Sequence, residues 1–374
     1  MIRMITDEID VSKELEVARK MLNSGKRSKG LFLLKKLGDR LFDRGDFLSA
    51  FDIYMEYAVG VSETRGIAGF EYTLLDIADR YKKSGYWGEA ARLYLVTANY
   101  LFENRILGEA AWIYEEAANA FEKSGDDMEK MVGACLARAA ECYDKVGEGI
   151  KAERTLLKAL IKGADIDPNT TEMKARTQLR MKEYRAAAAT YYTYGTLFEE
   201  SLNYLREILM QTEIGILSVN IKTILLHYTA EGFLASAICY NTIKEKDTAI
   251  KIIRKAKDIF ENSALLLKAL LDSGLVSPSA TNRCAFDALM ALIINSWLGD
   301  FEDGKSFFES FVSLLGEFSE ASTIKRSPYF NIMKLFYNRT PIEKILLELN
   351  KVSLGKLDPL RDLFIQMMQE KKIV

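Results

Sequence analysis

A single histidine, His227, limits what this chain can catalyse. Any Ser-His or Cys-His nucleophilic pair would have only this base. It sits in Ile224-Leu225-Leu226-His227-Tyr228, an apolar helical stretch, so a hydrogen-bonded core or half-buried histidine is expected there. The four cysteines, Cys135, Cys142, Cys239 and Cys284, form no CxxC. Cys135 and Cys142 lie seven apart on one helix face and read as packing residues, because no imidazole or thiol pair completes a metal set. Gly299, Gly304, Lys305 and Ser306 match the phosphate-loop spacing GxxxxGK[ST]. A working loop of that kind follows a buried strand, whereas Ala288 to Leu298 reads as a helix. Asp300, Glu302 and Asp303 inside the loop would also repel a triphosphate. A helix–helix turn is expected there instead. Glu115-Glu116 and Glu199-Glu200 are adjacent, so on a helix their side chains point about 100° apart. That suits solvated faces rather than an acid–base couple. The residues therefore predict no cofactor, no metal and no enzyme.

Composition narrows the remaining classes. The chain has 374 residues, 49% of them hydrophobic and 28% charged. That supplies a sizeable core and excludes a disordered chain. Lys plus Arg is 51 against 53 Asp plus Glu, a net charge of −2. No global basic field exists to hold nucleic acid, which is not an expected partner. The 5 prolines begin only at Pro168, so no proline-rich linker precedes it. The longest apolar run, Ala288 to Ile294, falls well short of the roughly 20 residues that span a bilayer. Met1 to Asp10 carries acids early and has no apolar signal region. A soluble, cytoplasmic protein is the expectation.

The elements that position these residues are helices. Trp87, Ala90, Ala91, Tyr94, Leu95, Ala98 and Leu101 recur at offsets of three and four, painting one helix face. Gly45, Gly85 and Gly125 follow lysine or arginine and stand 40 residues apart, as helix stops. Ala50, Tyr54 and Ala58 are echoed by Ala90, Tyr94 and Ala98. Gly88-Glu89-Ala90-Ala91 with Tyr94, Ala98 and Asn99 returns 20 residues later as Gly108-Glu109-Ala110-Ala111 with Tyr114, Ala118 and Asn119. Each helix and turn thus takes about 20 residues and each hairpin about 40, longer than the 34 of a tetratricopeptide repeat. The predicted fold is all-α: a right-handed tetratricopeptide-like helical-hairpin solenoid over residues 1–277. Asp165 to Thr171 reads as a loop. After Ser277-Pro278-Ser279, phenylalanines replace the alanine seams, and residues 278–374 are expected to form a C-terminal helical bundle.

Without a catalytic site, interaction surfaces remain. Lys151, Arg154, Lys158 and Lys162 are spaced at three and four and share one helix stripe. The stripe reads either as a solvated face or as a docking surface for an acidic helical partner. Lys26, Arg27 and Lys29 precede Gly30-Leu31-Phe32. Leu31 and Phe32 open the first repeat helix, either as core residues or as an exposed tip that touches anionic lipid.

Several stretches resemble the soluble NSF attachment proteins, adaptors of the membrane-fusion machinery. Arg105 to Val132 is similar to that family's mid-array hairpin, Lys151 to Leu160 to its next helix and Tyr184 to Gly195 to the one after. Arg326 to Phe336, Ile342 to Val352 and Gly355 to Met368 resemble its closing segments. The resemblance implies a non-enzymatic adaptor in vesicle trafficking. Its concave face would grip a SNARE-like helical bundle through Arg105, Arg154 and Lys158. Its C-terminal end would recruit and stimulate an AAA+ ATPase of the NSF type, with Ile373 in the place of the family's penultimate leucine. Leu31 and Phe32 would correspond to the family's membrane-touching loop. The chain departs from the pattern near Ala111-Trp112, where the family has a further cation. It departs again at Glu370-Lys371-Lys372-Ile373-Val374, where the family has an acidic tail. The competing expectation is a general helical-repeat scaffold for a peptide or complex subunit.

Overall fold

The structure is a computed structural model. It describes residues 2–125, 128–165, 167–272, 278–316 and 321–370, with the side chains of 2–10 and 216 excepted. Among the described residues there is helix and no strand. Two compact units divide after Gly163.

The first unit, Met1–Gly163, is a stack of helices. They are α1 (Ile2–Asn23), α2 (Arg27–Asp43), α3 (Phe47–Lys83), α4 (Trp87–Glu103), α5 (Leu107–Ser124), α6 (Glu129–Lys145) and α7 (Gly149–Gly163). Helix α3 is two helices meeting at Gly66, which holds φ 68° and ψ −159°. Left-handed backbone therefore recurs at Gly25, Gly45, Gly66, Gly85, Arg105, Gly125 and Gly147. Five of these seven turns, those at Gly25, Gly45, Gly85, Arg105 and Gly147, close with a backbone bond from the residue after the turn to the carbonyl five residues before it. After α3, for example, the Tyr86 N–H bonds back to the Tyr81 carbonyl at 3.0 Å, and the Gly85 N–H to the Lys82 carbonyl at 3.1 Å. Arg105 holds the same conformation (φ 62°) without glycine's freedom.

Each helix packs chiefly on its sequence neighbours, the mark of a solenoid. Alanines such as Ala90, Ala98, Ala110 and Ala118 are buried and let the helices close up. Tyrosines fill the remaining grooves, and three of them find a partner 15 residues back. Tyr94 donates to Asp79 at 2.8 Å and Tyr114 to Asn99 at 2.7 Å; Tyr54 donates to Asp39 at 2.7 Å. The 40-residue period is equally visible in ion pairs between alternate helices. Arg80 meets Asp39 and Asp43, Lys82 meets Glu116 at 3.2 Å, and Lys162 meets Glu122. These exposed pairs add little stability, but they place α2, the second arm of α3, α5 and α7 side by side.

The second unit, Ala164–Val374, begins with α8 (Pro168–Arg180), α9 (Tyr184–Leu209), α10 (Ile216–Thr242) and α11 (Lys246–Leu265). The loop expected over Asp165 to Thr171 is shorter than predicted. Asp167 caps α8 by accepting from the Thr170 N–H at 3.1 Å, and Pro168 takes the first helical position. Next come α12 (Leu267–Asp272), α13 (Pro278–Leu298), α14 (Phe301–Gly316), α15 (Ser322–Lys325), α16 (Pro328–Tyr337), α17 (Ile342–Leu349) and α18 (Arg361–Glu370). A 3-10 turn, Gly355–Leu360, precedes α18. Helix α13 is buried nearly all round and packs on α11, α14 and α16. Phe286, Phe308, Phe311, Phe330 and Phe364 fill the space around it. One hydrophobic core thus runs from Ala175 to Met368, on both sides of the boundary expected at 277/278.

Candidate functional site

The cationic stripe on α7 divides into two kinds of residue. Its outer members are engaged within the unit: Lys151 lies 3.9 Å from the centre of the Tyr143 ring, and Lys162 pairs with Glu122. Its inner members, Arg154 and Lys158, are exposed, one turn apart, and have no side-chain partner among the described residues. The α7 sequence explains their orientation. Ala152, Thr155, Leu156, Ala159 and Leu160 are its buried positions, so 154 and 158 face outward. Arg105 is also exposed and unpartnered among the described residues, but it belongs to the turn between α4 and α5, not to a helix face.

The two apolar residues beside Gly30 part company. Leu31 leans on α3, where a Cβ added at Gly60 would stand 2.5 Å from its Cδ2. Phe32 is 67% exposed. Ile373 lies outside the described residues.

The second unit holds a buried polar cluster around His227. Its Nδ1 stands 2.6 Å from Asp287 Oδ1 on α13, and its Nε2 stands 3.4 Å from Glu231 Oε2 one turn along α10. Asp287 and Glu231 are almost wholly inaccessible, and the imidazole is 14% exposed. Ser263 on α11 donates to Asp287 Oδ2 at 2.6 Å, and the Lys356 N–H donates to Glu231 Oε1 at 3.1 Å. Gly355 is required beside it: its φ is 60°, and a Cβ there would lie 2.6 Å from Glu231 Oε1. Burial pulls the imidazole's pKa down, but Glu231 and Asp287 outweigh it together and leave it raised. Burial raises the Glu231 carboxyl, with the Asp287 charge adding to it. A hydrogen-bonded histidine in the core or half-buried was expected, and a largely buried, hydrogen-bonded one stands here. Ser263 bonds the carboxylate, not the imidazole, so Ser263 and His227 do not form a nucleophile–base pair. The sequence showed His227 but not its partners, which come from positions 4 and 60 residues away. Only the i,i+4 spacing to Glu231 was available as a signal.

The phosphate-loop match is a helix–helix turn, as expected. Asp300 follows the end of α13, and Gly304 lies buried on α14 against Asn295. Lys305 points to Glu309 one turn on, at 4.0 Å. A cleft of about 760 Å3 beside it is lined by Asp300, Glu302 and Asp303 with one arginine, Arg339. That charge balance repels phosphate. Cys135, Cys142, Cys239 and Cys284 are all buried, and burial pushes each thiol up to about 12. They behave as small packing residues. No group of three or more His, Cys, Asp or Glu among the described residues has the geometry to hold a metal ion. No described helix is long and apolar enough to cross a membrane.

No family model and no curated protein matches the sequence. Among solved structures the chain is similar to the crystal structure of BtubC (BKLC) from P. vanneervenii. Identity is 15%, over 67% of this chain and 88% of that one, with a TM-score of 0.21. It is also similar to a circular tandem repeat protein with novel repeat topology and enhanced subunit contact surfaces. There identity is 11%, over 97% of this chain and 93% of that one, with a TM-score of 0.29.

Proposed function

We propose that this protein is a non-enzymatic adaptor of the soluble NSF attachment type, working in the cytoplasm and peripherally on membranes. Its first unit docks an acidic, SNARE-like helical bundle, and its C-terminal end recruits an NSF-type AAA+ ATPase. The observation that carries the proposal is the pair Arg154 and Lys158. They are the members of the α7 stripe left unneutralised, and they face outward on a stack of helices. Unpaired surface cations steer and orient an anionic partner. Arg105 adds a third such charge at the α4–α5 turn. Phe32 supplies an exposed apolar contact for lipid, and Ile373 the end that meets the ATPase.

Reversing Arg154 and Lys158 together to glutamate tests this. Two exposed ion pairs are worth about 2 kcal/mol, so binding to an acidic four-helix bundle should fall roughly 30-fold. The effect should shrink as salt rises. Affinity that is unchanged at low salt would remove the basis for the docking role. Deleting Ile373 and Val374 should separately abolish ATPase stimulation while leaving bundle binding intact.

A further inference from the structure

The first unit holds a polar pocket that the adaptor reading does not use. Its volume is about 460 Å3, and it is lined from α2 and from both arms of α3. The charges that line it balance: Lys35, Arg65 and Arg80 stand against Asp39, Asp43 and Asp76. Part of that charge is spent within the fold. Arg80 pairs with Asp39 and, at 2.7 Å, with Asp43, and the Tyr54 hydroxyl donates to Asp39 and accepts from Arg80, each at 2.7 Å. One arginine thus serves two carboxylates, and a negative charge is left over at that end. Lys35, Arg65 and Asp76 are exposed and have no side-chain partner among the described residues.

Neutral groups in the pocket are open as well. Thr73 lines it and is 9% exposed, yet its hydroxyl has no partner among the described residues. Thr97, buried one helix on, instead bonds the Leu93 carbonyl at 2.8 Å. The hydroxyls of Tyr57 and Tyr72, which also line the pocket, are likewise without a partner among the described residues. The pocket therefore offers unspent charges of both signs, two tyrosine rings and a buried hydroxyl.

Both signs together set the class of ligand. A simple anion at Lys35 and Arg65 would stand among three carboxylates, and a simple cation at Asp76 among three cations. A ligand that carries both charges answers each. Ammonium and guanidinium donors match phosphate oxygens. A carboxylate with aromatic rings suits a quaternary ammonium, which has no N–H to donate and is held by charge and ring quadrupoles. We infer that this pocket binds a phosphocholine group, with its phosphate at Lys35 and Arg65 and its quaternary ammonium at Asp76, Tyr57 and Tyr72. Free phosphocholine esters and the headgroups of a phosphatidylcholine bilayer both present that group. Phe32 is exposed three residues before Lys35 on α2, on the same helix face, so the apolar contact assigned to lipid stands beside the pocket. The pocket needs neither the acidic bundle nor the ATPase, so it stands or falls apart from the adaptor reading.

The test titrates the full chain with phosphorylcholine in a calorimeter. A dissociation constant of about 1 mM or tighter is expected, with choline alone and inorganic phosphate alone each weaker by roughly tenfold or more. Lys35→Gln, Arg65→Gln and Tyr72→Leu should each weaken phosphorylcholine roughly tenfold. Asp76→Asn should weaken phosphorylcholine but strengthen inorganic phosphate, because it removes a repelling carboxylate; damage to the fold would weaken both. Melting temperature should stay put, since all four sites are exposed. No binding at about 5 mM overturns the assignment. Inorganic phosphate or phosphorylethanolamine binding as tightly as phosphorylcholine also overturns it. Phosphatidylcholine vesicles carry no net charge, so scattered surface cations do not draw the protein to them. Vesicle binding that Phe32→Ser abolishes, with phosphorylcholine binding intact, upholds the pocket and makes the bilayer the source. Phosphorylcholine binding without vesicle binding upholds the pocket and makes the source soluble. Vesicles that bind the parent, Lys35→Gln and Asp76→Asn alike overturn the pocket and leave the lipid contact at Phe32 standing. Phosphorylcholine binding in a chain that ignores the acidic bundle upholds the pocket and removes the adaptor.

Discussion

Because His227 is the single histidine, its ring gives one imidazole signal in a nuclear magnetic resonance titration. That signal reports directly on the buried cluster of the second unit. Glu231 and Asp287 face the ring on either side, Arg283 opposes them more weakly, and Ser263 and the Lys356 N–H bond the carboxylates. Both His227 and Glu231 hold their protons more tightly folded than unfolded. The folded state therefore binds more protons, and stability must fall as pH rises. His227 contributes fully below the ordinary imidazole value of about 6.5 and loses that contribution as pH passes its higher native value. Glu231 acts in the same direction from its ordinary range near 4.5 upward. His227→Gln removes the cation and leaves two carboxylates buried together. Removing one partner of a buried pair costs about 3–5 kcal/mol. For a unit of about 200 residues, 4 kcal/mol lowers the melting temperature by roughly 8–16 °C. The loss should be largest at pH 6 and smaller at pH 8, and Asp287→Asn added to His227→Gln should restore part of it. An imidazole that titrates at or below 6.5, or a variant that melts within 2 °C of the parent at pH 6, would refute the argument.

Three further substitutions probe the backbone and the tyrosine seams. A Cβ at Gly232 on α10 would stand 2.6 Å from the Gly195 nitrogen on α9. Gly232→Ala should therefore cost about 3 kcal/mol in thermal unfolding, since backbone cannot step aside as a side chain can. Arg105→Gly relieves a left-handed penalty of about 1–2 kcal/mol against a chain-entropy cost of about 0.4–1. It should raise stability to urea slightly while weakening binding to the acidic bundle, an opposition that a purely structural role would not produce. Tyr94→Phe leaves Asp79 without its 2.8 Å donor and should cost about 1 kcal/mol in the same urea titration.

The sequence made the first unit legible because repetition amplifies weak signals. One glycine, tyrosine or alanine says little, but the same residue type at 40-residue intervals fixes helix length, turn position and register together. Gly45, Gly85 and Gly125 all hold left-handed backbone at the turns they were expected to make. The turn at Arg105 shows the limit: the same conformation there has no residue-type signal. The second unit was less legible for a reason tied to its core. Helices α10 and α13 are apolar over most of their circumference. No face then announces its neighbour, so pairing across 60 residues, as between His227 and Asp287, leaves no periodic trace. Identical logic governs the surface. The cations at 154 and 158 were visible as a stripe because spacing within one helix is enough to see them.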